Sequence, residues 1–316
     1  MKAIILNESG RVENLKMVEL EKPVPTDSEV LIKVKAISIN PVDVNARAYD
    51  GVLNWIFETN RPVILGWDIS GEIVEIGKNV TSFKIGDEVF GMVNFFGNGK
   101  AYAQYVASPE NHIALKPKQV TNSEAAAVSM VGSTAYQALI DIANIKKGDR
   151  VLIHGASGGV GHIALQIAKS FGAYVIATSS AKNREFVLSL GADVHIDYTK
   201  EDFSSKVRDV DIVLDTIQGE TLVKSIDIVK PNGIIVTLPS PDISQDVKEK
   251  ASKNNVRIEF FMVSSKKETI EELSRLMEKN VLKPNIHQEF KFEEIAKAHL
   301  EVETNHVVGK VVVKIE

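Results

Sequence analysis

Four glycines, Gly155, Gly158, Gly159 and Gly161, fall within seven positions of the chain. Backbone without side chains lets a phosphate approach closely. A helix that starts there adds free N–H groups and the positive end of its dipole. The chemistry this favours is the cradling of a dinucleotide pyrophosphate, with a plain tight turn as the alternative. The spacing, Gly155-x-x-Gly158-x-x-Gly161, departs from the strict G-x-G-x-x-G, so its context carries the argument. Val151, Leu152 and Ile153 precede it, the short apolar run of a strand buried on both faces. After it, Val160, Ile163, Ala164, Ile167, Ala168 and Phe171 recur as one helical stripe, with His162, Gln166 and Lys169 off the stripe. Gly172 stands where a helix C-terminal glycine belongs.

The second strand of such a fold ends at the adenosine ribose, where an Asp or Glu about 20 residues on would read the 2′-hydroxyl of NAD. Here the chain runs Thr178-Ser179-Ser180-Ala181-Lys182-Asn183-Arg184, and no carboxylate comes before Glu185. Hydroxyls with Lys182 and Arg184 suit a 2′-phosphate, so NADPH is the expected cofactor, with NADH or use of both as the alternative. The alternative is that these are solvated charges at the start of the next helix.

Around these residues the chain must supply a doubly wound α/β sheet. Apolar runs at Tyr174 to Ala177, Val194 to Ile196, Ile212 to Leu214, Ile234 to Leu238 and Ile258 to Val263 alternate with helical segments. That pattern predicts a parallel sheet with helices on both faces. Upstream, Thr121-Asn122-Ser123-Glu124 caps an alanine-rich helix, and Gly132 to Leu139 is read as the start of another. The first 120 or so residues form short strands with glycine at the corners, a β-rich domain. Asn40-Pro41 breaks one of these strands, and Tyr49, Phe95 and Phe96 fall in segments that read as loops. Val307 to Val313, after a helix around Glu293 to Val302, is assigned back to this first domain. The expected division is 1–121 with 282–316, and 122–281.

The formal charge is −5 and no stripe is basic, which speaks against nucleic acid and against recruitment to a membrane surface. With no cysteine, disulfides, thiolate zinc sites, iron–sulfur clusters and a cysteine nucleophile are excluded together. No apolar run reaches the roughly 20 residues that span a bilayer. A soluble, cytoplasmic protein is expected.

Several motifs in order resemble the quinone oxidoreductase (zeta-crystallin-like) branch of the medium-chain dehydrogenase/reductase family. They are Ser38-Ile39-Asn40-Pro41-Val42-Asp43, Gly66-Trp67-Asp68-Ile69-Ser70-Gly71, Lys84 to Gly91, His154 to Gly161 and Asp211 to Thr216. The resemblance implies a GroES-like β-rich catalytic domain and a Rossmann NADP-binding domain with the active site between them. It implies reduction of quinones or enones with NADPH, close to the alkenal/enone reductases, and a homodimer in which Ile258 to Val263 pairs across a two-fold. Zinc-dependent members carry Cys near Asn40 and Gly-His-Glu where Gly66-Trp67-Asp68 stands, so no metal is expected here. A conjugated double bond suits a site without a Lewis acid, because the substrate accepts the hydride through its own conjugation. A zinc-free ketone or alcohol oxidoreductase and a catalytically silent NADPH-binding protein are the alternatives.

Carried over residue by residue, the resemblance places Thr134 beside the nicotinamide, although it also reads as an N-terminal helix hydroxyl. Gly155, Gly158, Gly159, Val160 and Gly161 form the pyrophosphate turn. Ser179, Ser180, Lys182 and Tyr198 fall at the adenosine phosphate and ribose, where Tyr198 also reads as a sheet-edge residue. Thr216, Ile217 and Leu238 line the cofactor, while Phe261 to Val263, with Val263 toward the nicotinamide, and Lys310 are weaker candidates. For the substrate, Asn40 is the polar candidate or a turn residue before Pro41. Trp67 walls the pocket or fills the core, and Tyr49, Phe95 and Phe96 form an apolar mouth. Many relatives have Tyr or Lys where Asn45 stands, so no general acid is assigned and solvent is the expected proton source.

Overall fold

The computed structural model describes residues 1–315. It divides into two compact units: Met1–Ser133 together with the chain from Ser264 onward, and Thr134–Val263.

Thr134–Val263 is built on a six-stranded sheet in the order Val194–Asp197, Tyr174–Ser179, Arg150–Ile153, Val210–Asp215, Val229–Thr237, Arg257–Phe260. All five pairings are parallel. Val151, Leu152 and Ile153 are fully buried at its centre, as a strand covered on both faces must be. Leu152, Ile176, Val213 and Ile235 share one core cluster with the helix residues Leu222, Ile226 and Ala251. The glycine turn opens the helix Gly159–Ser170. Gly172 ends it at φ +77°, a conformation glycine adopts without strain.

Three expectations for the chain from Gly132 to Val263 need correction. The last strand stops at Phe260 rather than running to Val263, because its neighbour Val229–Thr237 ends opposite Phe260 and leaves no ladder to extend. Gly132 does not begin a new helix. One helix runs through it, Asn122–Tyr136, and a Cβ at residue 132 would stand 2.9 Å from a Leu273 methyl. That glycine serves close packing. His162 and Gln166, off the apolar stripe, are nevertheless buried. Each bonds back along its own helix, His162 Nδ1 to the Gly158 carbonyl and the Gln166 amide to the His162 carbonyl, so burial leaves them satisfied.

The other unit carries a seven-stranded sheet in the order Ile286–Lys291, Lys310–Lys314, Glu29–Ile39, Asp68–Ile76, Glu88–Met92, Ile113–Leu115, with Tyr105–Pro109 also paired to Glu29–Ile39. Lys2–Leu6 and Leu15–Glu19 form a separate antiparallel pair. The stretch after Asn40 is not loop. It forms two short helices, Pro41–Ala48 and Asp50–Phe57, with Tyr49 between them. Proline at the first helical position and the Asp43 carboxylate, which accepts the Asn40 N–H at 2.8 Å, start the first helix.

Candidate active site

In Thr134–Val263 the nucleotide candidates gather at one edge of the sheet. The glycine turn follows Ile153, Ser180 and Lys182 follow Ser179, and Tyr198 follows Asp197. Thr216 and Ile217 follow Asp215, Leu238 follows Thr237, and Val263 lies three residues past Phe260. Because every strand is parallel, these are all carboxyl ends, the edge at which open α/β sheets bind ligands. Thr134 is buried in the last turn of its helix, not at a helix start.

The turn is shaped for a group with no side chain in its way. Gly155 has φ +62°, and a Cβ there would sit 2.6 Å from Thr216 Oγ1. A Cβ on Gly161 would lie 2.3 Å from the Gly155 carbonyl oxygen, so helix and turn pack backbone to backbone. Gly158 caps the helix in an extended conformation, with its own N–H on Gly155 O at 2.9 Å. The first-turn N–H groups beyond it have no intrahelical acceptor, which fits a pyrophosphate.

Neighbouring side chains hold this turn. Thr216 Oγ1 donates to His154 O at 2.8 Å. The buried His154 ring joins Thr178 Oγ1 at 3.1 Å and Ser225 Oγ at 3.0 Å. Burial pushes its pKa down to about 4 against the pull of Asp215, so the ring is neutral near pH 7. Asp215 Oδ1 accepts the N–H groups of Ile217 and Gln218 and fixes the turn after its strand. Ser179 is buried and shares a hydrogen bond with His195 Nε2 at 2.8 Å. Ser180 is half-buried, and Lys182, Tyr198 and Ile217 are exposed. Lys182 forms no ion pair among the described residues.

In the other unit, sequence reasoning missed a buried polar cluster. Lys310 Nζ donates to Ile39 O at 2.7 Å and Asn40 Oδ1 at 2.5 Å, and lies 4.0 Å from Asp68 Oδ2. Asp68 accepts from Ser38 Oγ at 2.6 Å, Asn40 Nδ2 at 2.8 Å and the Met130 N–H at 2.8 Å. Burial pushes the Lys310 pKa down while Asp68 and Asp43 oppose that shift. Burial also raises Asp68, and lifts Asp43 to about 7. Tyr102 and His299 meet alongside at 2.9 Å. Asp43 and Asp68 lay inside recognisable motifs, but nothing in the spacing announced that Lys310, 270 residues from Asn40, would join them.

Asn40 is therefore the helix cap before Pro41 and also part of this cluster. Trp67 is fully buried, with Nε1 on Gly97 O at 2.7 Å. It stacks on Phe57 at 6.1 Å and meets Phe95 edge-on at 5.2 Å, so it fills the core. Phe96 continues this aromatic row to Trp55 at 4.4 Å, and Tyr49 is exposed.

The donor set does not fit zinc. The sequence has no cysteine, Asp68 is taken up by hydroxyl, amide and ammonium groups, and no group of three or more His, Asp or Glu among the described residues could hold a metal ion. Nor is any helix among them long and apolar enough to cross a membrane.

A glycine cradle on a parallel sheet in one unit and mostly antiparallel strands in the other define a two-domain dinucleotide-dependent oxidoreductase. The family profile described as "Alcohol dehydrogenase GroES-like domain" matches residues 26–118, and "Zinc-binding dehydrogenase" matches residues 190–313. The chain is 35% identical to 2-methylene-furan-3-one reductase of Solanum lycopersicum, over 99% of this chain and 79% of that protein. It is 33% identical to the chloroplastic NADPH-dependent alkenal/one oxidoreductase of Arabidopsis thaliana, again over 99% and 79%. The quinone oxidoreductase structure from Coxiella burnetii superposes with a TM-score of 0.93 at 36% identity, covering 100% of this chain and 99% of that one. The chain belongs to the medium-chain dehydrogenase/reductase family, in its quinone oxidoreductase branch.

Proposed function

We propose that the protein transfers hydride from NADPH to quinones or α,β-unsaturated carbonyls without zinc. The observation that carries this reading is the glycine cradle at the carboxyl edge of the parallel sheet, with an unpaired lysine after the second strand. Bound NADPH supplies the hydride. The β-carbon of an enone accepts it, the double-bond electrons move to the carbonyl oxygen, and the resulting enolate takes a proton from water at the α-carbon.

The chain's own groups bind and orient. Gly155 to Gly161 hold the pyrophosphate, while Ser180, Lys182 and Tyr198 take the 2′-phosphate and ribose. Thr216, Ile217 and Leu238 line the cofactor, and Thr134 and Val263 face its nicotinamide end. The Asn40 amide offers an N–H to the developing oxyanion. Tyr49, Phe95 and Phe96 form the apolar entrance. The edge strand Arg257–Phe260, paired on one side only within its sheet, is the homodimer contact.

The test follows NADPH absorbance with a panel of enones, quinones and simple ketones. Turnover of the conjugated substrates is expected. Turnover of ketones alone would favour the ketone reductase, and tight NADPH binding without turnover would favour the silent binding protein.

A further inference from the structure

Lys310 is unexplained by cofactor binding, because its ammonium is engaged inside its own unit. A lysine is seldom fully buried unless it is paired. Here it meets a main-chain carbonyl, an amide oxygen and, at 4.0 Å, a carboxylate. An ammonium only donates and a carboxylate only accepts, so the Asn40 amide has one orientation, oxygen toward Lys310 and nitrogen toward Asp68. The Asn40 main chain is fixed as well, through its N–H on Asp43. Of the two Nδ2 hydrogens one goes to Asp68, and none of the described residues accepts the other.

A cation on an amide oxygen draws electron density from the nitrogen and makes its N–H a stronger donor. The effect grows where water is excluded, and Asn40 and Lys310 are both buried. We propose that Lys310 is a positioning residue that fixes and polarises the Asn40 amide, so that its second N–H binds the oxyanion formed as the conjugated substrate is reduced. This rests on the reductase reading above. Lys310 acts through Asn40 and does not itself touch the substrate. The competing role is plain charge balance for Asp68.

The test compares full-length wild type, Lys310→Met, Asn40→Ala and the double variant with NADPH and a cyclic enone, reading kcat, KM, NADPH affinity and melting temperature. Asn40→Ala is expected to lose about 100-fold in kcat and Lys310→Met about 10-fold, both with unchanged NADPH affinity. The double variant should be no slower than Asn40→Ala alone. Losses that multiply, or a Lys310→Met protein that melts earlier yet turns over at the wild-type rate, would overturn the proposal.

If Lys310→Met fails to fold, Lys310→Met with Asp68→Asn removes both charges, and the same loss in kcat is expected. A wild-type kcat in that protein would overturn the idea. A readout independent of turnover is the Asn40 side-chain amide proton shift, expected to move upfield without the ammonium. An unchanged shift would contradict the proposal even in a wild type that reduces nothing, a result that would sink the reductase reading separately.

Discussion

The glycine turn of Thr134–Val263 and the polar cluster around Lys310 reach the same end, a precisely held electrostatic site, by opposite means. The turn works by omission: its potential comes from backbone N–H groups, and packing requires that nothing sit on Gly155 or Gly161. The cluster works by addition, with a buried cation, two buried carboxylates and an amide locked among them. A site made of backbone is local in sequence, whereas one made of buried charge is assembled from distant segments. The two should therefore break differently.

The largest effect is expected in the cluster. Asp68→Ala leaves the Lys310 ammonium buried without its nearest carboxylate, and breaking such a pair costs about 3–5 kcal/mol. Chemical denaturation should show that loss, and a change under about 1 kcal/mol would mean the ammonium finds other partners. In the turn, Gly161→Ala forces a Cβ to within 2.3 Å of a carbonyl oxygen, an overpacking of about 1–3 kcal/mol. Gly158→Val is different in kind. The Cβ at that position stands 3.3 Å from Gly155 O, so folding should survive while NADPH binding is lost. Retained binding by calorimetry would mean the pyrophosphate lies elsewhere.

Each unit also buries a neutral histidine, and pH separates them from the carboxyls. Burial, helped by Arg47, pushes His299 down to about 3. The unfolded chain takes up a proton below about pH 6.5 that the folded protein refuses, so His299 lowers stability progressively between pH 6.5 and 3. Asp43 has the opposite sign, since its raised pKa favours the folded state as pH falls from about 7 toward 4. Comparing His299→Gln with wild type cancels the Asp43 contribution. The variant should gain on wild type by about 1 kcal/mol per pH unit below 6.5. Parallel pH profiles would contradict a neutral His299.

The smallest effect tests the cofactor. Lys182→Ala should weaken NADPH by about tenfold and leave NADH unchanged, since one exposed charge partner is removed. Equal loss for both cofactors would place Lys182 away from the 2′-phosphate.

The same contrast explains what could be read from sequence. The strand, turn and helix of the nucleotide unit follow from glycine spacing and apolar periodicity, which act over a few residues. Helix Pro41–Ala48 was hidden because Asn40-Pro41 reads equally as a break and as a cap followed by a first-turn proline. Gly132 was misleading because the need for glycine came from Leu273 across the fold, not from the local chain. Lys310 illustrates the limit. A lysine in a run of valines carries no local sign of its partner, and only the pairing of Lys310–Lys314 with Glu29–Ile39 carries its ammonium to Asn40.

The central claim is hydride transfer to a conjugated carbon by a chain whose donor set does not fit zinc. NADPH carrying deuterium at the transferable position, mixed with a cyclic enone and chelator-treated protein, tests it directly. One deuterium at the β-carbon of the saturated product and a proton from water at the α-carbon are expected. Deuterium on the carbonyl carbon, or activity that disappears with the chelator, would contradict it.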